Sequence, residues 1–336
     1  EDLKGFSGEV LILCGDTPLL TAETLKKFIE NHRKNKASLS VMSAIFENPQ
    51  NYGRIIRSEN GNLCAIVEEK DANPEQKAVK EVNTGVYLIN WAEISPAFLS
   101  LDSNNAQGEY YLTDIVKWAI SQGLKAQSYI LENNEESFGI NSKAHLAEAA
   151  KILKNRVINR LLEDGVTIVD PETTFISPET EIAPDVIIYP CTYIEGKNII
   201  GKDCKIGPFA RLRGGVELGE GVKIGNFVEI KNSKIKNHTN VSHLSYIGDS
   251  ELGSNVNIGA GTITANYNHA TKEKFRTVVK DGASTGSNSV LVAPVELGEQ
   301  SSIGAGTVVS KDIPAFALGL TRAPLKVFAD WFKKLK

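Results

Sequence analysis

The 336-residue chain sets 37 Lys plus Arg against 41 Asp plus Glu, a net charge of -4, which gives no electrostatic reason to expect nucleic acid or an anionic membrane surface as a partner. Its four cysteines, Cys14, Cys64, Cys191 and Cys204, lack CxxC or metal-ligand spacing, which reads as a reducing compartment rather than a disulfide frame. No apolar run approaches the roughly 20 residues of a bilayer crossing and no signal peptide is evident, so the expected location is cytoplasmic.

At this length two domains fit. The run Val10, Leu11, Ile12, Leu13 predicts a parallel strand covered on both faces, ended by Cys14, Gly15 and Asp16. Asp16 then stands at the carboxyl end of a strand, where α/β sheets hold their ligands. Helix capping is the alternative role, but the next helical pattern, over 22–35, has Thr21 at its own start. Strand-like runs at 39–46, 53–57, 63–68 and 85–89 and a helix over 113–122 make this a mixed α/β domain.

Polar turns around Tyr52, Gly53 and Arg54, around Glu68, Glu69 and Lys70, and around Asn83, Thr84 and Gly85 suit a sugar, though each alone is an ordinary turn. Joined by residues 107–114 (QGEYYLTD) they become specific. This half resembles sugar-1-phosphate nucleotidyltransferases, in detail the uridylyltransferase domain of the bifunctional N-acetylglucosamine-1-phosphate uridylyltransferase/glucosamine-1-phosphate acetyltransferase family, and the order of motifs matches along nearly the whole chain. The resemblance implies Asp16 and Asn141 as the Mg2+ pair. It also implies Gly53, Glu68, Asn83 and Asn141 as contacts to UDP-N-acetylglucosamine, and UTP as the second substrate. Such domains open with a strand and a Gly-rich basic loop that cradles the triphosphate. The chain starts at Glu1 without Met, and no such loop precedes Val10. A truncated Rossmann-like domain over 1–142, with little or no uridylyl transfer, is therefore expected of this chain.

Residues 142–162 carry Leu146, Ala149, Ala150, Leu153, Val157 and Leu161 at helical spacing, closed by Gly165. This predicts a linker helix over 143–165. Beyond it, from 182 to 309, one apolar residue recurs at a step of six: Ile182, Ile188, Ile194, Ile200, Ile206, Leu212, Leu218, Ile224 and Ile230 keep it without a miss. One-residue slips reset it at Ile235 and Leu252, and Val279, Leu291, Leu297, Ile303 and Val309 resume it. A period of six fits neither a helix nor a hairpin sheet. It fits a parallel β-helix of hexapeptides, here over 166–318, whose coils must stack to make a core. Against the family pattern this region is about two coils short ahead of Gly207, which nearest-neighbour stacking tolerates.

The repeat pauses between Thr264 and Thr277, and a loop thrown out of a solenoid is a usual seat of function. Arg211, Arg213, Lys231, His243, Tyr246 and Asn257 lie around it and are not needed by the coil core. On spacing alone His243 is a solvated turn residue, a catalytic base or, with His238, half of a zinc site. The zinc pattern needs a third histidine two coils upstream, and none stands between His145 and His238.

Residues 210–213 (ARLR), 226–231 (NFVEIK), 243–249 (HLSYIGD) and 257–262 (NIGAGT) resemble the acetyltransferase signature of the same family. The resemblance implies a left-handed β-helix that forms a homotrimer and transfers acetyl from acetyl-CoA to glucosamine 1-phosphate. His243 is then the general base, Arg213 and Lys231 grip the sugar phosphate, and Tyr246, Asn257 and Lys274 orient the sugar. The loop is about two residues longer than the family pattern, so Lys272 stands as the alternative to Lys274. Ala260, Asn266, Tyr267, Ser287, Ala305 and Arg322 are implied acetyl-CoA contacts, with a backbone N–H near Ala260 for the oxyanion. A non-catalytic scaffold is the competing reading, chiefly for the first half. The tail over 319–336 sets Leu325, Phe328, Trp331 and Phe332 among lysines, as a short amphipathic helix against a neighbouring subunit or a frayed end.

Overall fold

The computed structural model describes residues 3, 5–331 and 333, so Phe332 lies outside the described residues. It divides into two compact units, Glu1–Ile152 and Leu153–Lys336. The first is built on a sheet of β1 (Glu9–Ile12), β2 (Leu39–Ile45), β3 (Arg54–Arg57), β4 (Leu63–Val67), β5 (Glu81–Asn90) and β6 (Ala126–Ile130). The order is β4-β3-β5-β2-β6, with β1 also on β5.

β1 departs from expectation. It pairs antiparallel with β5, Val10 opposite Ile89 and Leu11 opposite Leu88, and its side chains are half-buried rather than covered on both faces. A continuous apolar run reports burial but not direction, and direction here comes from the long β5, whose Tyr87 faces Ile12 on one edge and Val41 on the other. β6 was not foreseen because its sequence, AQSYI, mixes polar and apolar residues and is only half-buried. It runs parallel to β2.

The helix Ala22–Lys34 starts where Thr21 Oγ1 accepts the Thr24 N–H at 3.2 Å. It buries Phe28 against Met42, Val82 and Leu88. In Asp114–Ser121, Ile115, Val116 and Ala119 are buried. Along the helix Lys143–Glu163, Ala149, Val157, Ile158 and Leu161 are buried while Leu146 and Leu153 stay exposed.

In the second unit each coil gives one strand to each of three parallel sheets, of nine, eight and seven strands among the described residues. Ile188, Ile206 and Ile224 stack in register eighteen residues apart. The sequence slips are shortened coils, so Ile224 faces Val241 and Val241 faces Ile258, seventeen apart. The coil holding the excursion is longer, and Asn257 faces Ser284. The six-step residues are the core, nearly all below 5% exposure, with Ile182 partly buried.

Two inward positions are polar and so escape an apolar period. Thr264 and Thr285 are buried, and their hydroxyls accept the Gly248 and Gly259 N–H groups at 2.8 and 3.0 Å. At one corner Phe209, Phe227 and Leu244 hold φ of 56, 55 and 51°, a backbone region that side chains of this size avoid. Their side chains are exposed by 50, 55 and 59%, and the two phenyl rings stack at 5.1 Å.

In the tail, residues 321–328 form no helix, and residues 332 and 334–336 lie outside the described residues. Leu325, Val327 and Phe328 stand exposed, with the Phe328 and Trp331 rings 5.7 Å apart. An amphipathic helix needs an apolar surface to lie on. Among the described residues no helix is long and apolar enough to cross a membrane.

Candidate active site

The residues around His243 form a track along the solenoid. His243 ends the strand Asn240–His243 of the nine-stranded sheet, in register with Asn226, and its Nδ1 lies 2.8 Å from Asn226 Oδ1. At the corner that follows, the Leu244, Gly261, Asn288 and Gly306 N–H groups donate to the carbonyls of Asn226, His243, Ala260 and Ser287. Asn226, His243, Ala260, Ser287 and Ala305 therefore stack one per coil, roughly 4.8 Å apart. Gly225, Gly259 and Gly286 form a bare floor beside it. A methyl there would come within 1.9, 2.4 and 2.4 Å of the next coil's backbone. Asn257 is exposed on the same sheet, opposite Asn240 rather than His243. Lys205, Lys223, Asn226, Ser242 and His243 line an open groove of about 490 Å³.

A second group gathers at the far end of the eight-stranded sheet. Arg213 and Lys231 end adjacent strands in register, and Lys231 faces Gly248 on the next. The excursion after Ala265 is a small antiparallel hairpin, held by a Tyr267–Lys274 bridge and by Phe275 N–H to Asn266 carbonyl at 2.8 Å. It sets Lys274 beside Lys231, while Lys272, at φ 58°, stays in the hairpin turn. Lys274 first and Arg213 next hold the Lys231 ammonium below its usual pKa by like-charge repulsion. Arg213 is paired with Glu229 at 2.8 Å. Asp249 accepts from both Asn232 and Asn266. A side chain at Gly248 would strike the Tyr246 hydroxyl and the Asn266 amide, so both reach over that glycine.

Within one chain the predicted residues thus fall into two groups. His243, Asn257, Ala260, Ser287 and Ala305 belong to the nine-stranded sheet and its corner. Arg213, Lys231, Lys274, Asn266 and Tyr267 lie at the other edge of the next sheet, whose three-residue strands span roughly 10 Å. Tyr246 starts beside the corner and points its hydroxyl toward the cations. Arg322, past the last coil, is exposed.

In the first unit, the Asn83 N–H donates to the Gly53 carbonyl at 2.8 Å, and a methyl on Gly53 would sit 3.2 Å from Glu68 Oε1. Gly53, Glu68 and Asn83 therefore line one spot. Burial, then Asp71 and Asp114, push the Glu68 carboxyl up, against a hydrogen bond from Thr113 that lowers it. Asp16 and Asn141 both face Gly139, whose methyl would lie 3.7 Å from Asp16 Oδ2 and 3.8 Å from Asn141 Nδ2. The Asp16 carboxylate oxygen and the Asn141 amide oxygen, once the amide turns to present it in place of Nδ2, are hard donors, and two of them leave room for water and phosphate oxygens, as Mg2+ prefers. Among the described residues no cluster of three or more His, Cys, Asp or Glu could cage a metal.

A nucleotidyl transferase family matches residues 2–140, a bacterial transferase hexapeptide family matches 199–232, and a succinyl-transferase hexapeptide repeat matches 281–311. The bifunctional protein GlmU of Acetivibrio thermocellus is 39% identical over 367 residues, covering 99% of this chain and 79% of that protein. Its counterpart in Syntrophotalea carbinolica is 42% identical over 363 residues, covering 98% and 78%. The chain belongs to the GlmU family.

Sequence reading of this GlmU-family chain missed three side chains that the site involves. Asn226, Glu229 and Asp249 touch His243, Arg213 and Asn266 respectively. Each sits one coil from its partner, sixteen or seventeen residues away; all three lie in the signature segments 226–231 and 243–249, and the six-residue step was the signal that would have paired them.

Proposed function

We propose that the second unit transfers acetyl from acetyl-CoA to the 2-amino group of glucosamine 1-phosphate. The observation that carries this reading is that Arg213 and Lys231 end adjacent strands in register and the hairpin brings Lys274 beside them, so that Lys231 feels the repulsion of both. A phosphate relieves that repulsion. As the amine attacks the thioester carbon, His243 takes the amine's proton, and the N–H groups near Ala260 meet the forming oxyanion. Collapse breaks the C–S bond, and CoA leaves as the thiol. His243→Ala should keep its fold by circular dichroism and lose roughly 10²–10⁴ in thiol release. Near-normal release would remove His243 from the mechanism.

We infer a homotrimer whose neighbouring copies complete each site. Two observations support it: the separation of His243 from the cations within one chain, and the exposed ridge of Phe209, Phe227 and Leu244. Asn266 and Tyr267 would then touch acetyl-CoA from one copy while Ala260, Ser287, Ala305 and Arg322 do so from another. Substrates of this kind point to the cytoplasm as the compartment.

A second reading belongs to the first unit. The facing of Asp16 and Asn141 across Gly139 supports Mg2+-dependent uridylyl transfer from UTP, with Gly53, Glu68 and Asn83 holding the N-acetylglucosamine moiety. Bound there, Mg2+ would neutralise phosphate charge. Calorimetry should show UDP-N-acetylglucosamine binding that Glu68→Ala weakens at least tenfold and Asp16→Ala uncouples from Mg2+. Absence of binding would leave this unit a scaffold for an acetyltransferase.

A further inference from the structure

We propose that Asn226 sets the tautomer of His243 and so makes Nε2 the atom that receives the substrate's proton. The proposal rests on the acetyl-transfer reading. The two residues end the adjacent strands Lys223–Asn226 and Asn240–His243, face each other in register, and meet through Asn226 Oδ1 and His243 Nδ1 at 2.8 Å. An amide oxygen accepts and cannot donate. Nδ1 therefore carries the hydrogen, and the lone pair of the neutral ring lies on Nε2.

The register depends on the shortened coil. An eighteen-residue coil counted from Asn226 would bring Leu244 opposite it. The one-residue slip at Ile235 brings His243 there instead, and the next shortened coil sets Ala260 beside His243. The same slips that interrupt the hexapeptide pattern thus align the amide, the imidazole and the head of the track. The groove lining offers Lys205 and Lys223 as its charged groups and no carboxylate, so no anionic acceptor in that lining competes for the ring. In the transfer, the N–C bond forms as the amine proton moves to Nε2. The C–S bond breaks as that proton passes to the departing thiolate, and His243 returns to the Nδ1–H form.

Two measurements test this. Nitrogen-15 spectra of histidine-labelled protein, with His243 assigned by a His243→Gln variant, read the tautomer directly. Nδ1–H is expected, and Nε2–H overturns the proposal whatever the acetylation assay gives. In kinetics, Asn226→Leu should lower kcat from about tenfold to as much as ~10⁴-fold, the cost of a wrong tautomer. Its KM for glucosamine 1-phosphate should stay within about twofold, since the Asn226 side-chain oxygen is engaged by His243. Asn226→Asp should recover most of the rate and move the acidic limb of the pH–rate profile to higher pH. Equal losses in the Leu and Asp variants with an unchanged profile would mean simple packing and overturn it. A wild-type protein without acetyl transfer would sink the activity reading and leave the spectrum to decide the tautomer.

Discussion

Replacing Lys231 with alanine removes the central member of three converging cations. In the complex the loss is one charge-assisted hydrogen bond to phosphate, about 1.5–3 kcal/mol. At about 1.4 kcal/mol per factor of ten, KM for glucosamine 1-phosphate should rise roughly 10- to 150-fold. In the free protein the sign is opposite. Lys274 and Arg213 depress the Lys231 pKa by repulsion, so the unfolded chain binds that proton more readily and the charged ammonium opposes folding throughout the neutral range. Lys231→Ala should therefore melt no lower than the parent while binding phosphate worse. Thiol-release kinetics across sugar-phosphate concentrations, beside a thermal melt, separate the two effects. A fall in kcat at unchanged KM, or a lowered Tm with unchanged KM, would refute the phosphate cradle.

Gly248→Ala should impair acetyl transfer with little loss of stability, because its methyl would meet the flexible end of Tyr246 at 2.4 Å and must push that hydroxyl aside; normal kinetics would show that Tyr246 has no positional role. Thr264→Val strands the buried Gly248 N–H and should cost about 1–3 kcal/mol, read by urea unfolding of the second unit. In the first unit, His32 is buried on Ser40, and burial above all holds its pKa below the ordinary value, with Arg33 adding and Glu9 and Glu93 opposing. The unfolded chain takes up the proton that the folded ring refuses, so stability should be complete above about pH 6.5 and fall below it. The urea midpoint should drop between pH 7.5 and 5.5 by more in the parent than in His32→Gln, and equal drops would acquit His32.

The β-helix was legible because one side chain in six must point inward, and Ile188, Ile206 and Ile224 do stack. The same rule failed at Thr264 and Thr285, where the inward group serves a backbone N–H instead of apolar packing. β1 was visible as a strand, but its direction depended on the distant β5. The tail's apolar spacing allowed either a helix against a neighbouring subunit or a frayed end, because spacing alone does not say what surface a helix would lie on. At the site, residue types and motif order brought each candidate into view. Their division between two sheets was not visible, because a corner every six residues turns neighbours in sequence onto different faces.

That division makes mixed assemblies the most direct test of the account. Co-assembled His243→Ala and Lys231→Ala chains should regain activity at sugar-phosphate concentrations well below the Lys231→Ala KM. With random assortment in a trimer, about a quarter of the sites would take an intact His243 from one copy and an intact Lys231 from its neighbour. The account predicts that recovery. Activity no greater than the sum of the two separate variants would mean that each chain builds its site alone, and would contradict it.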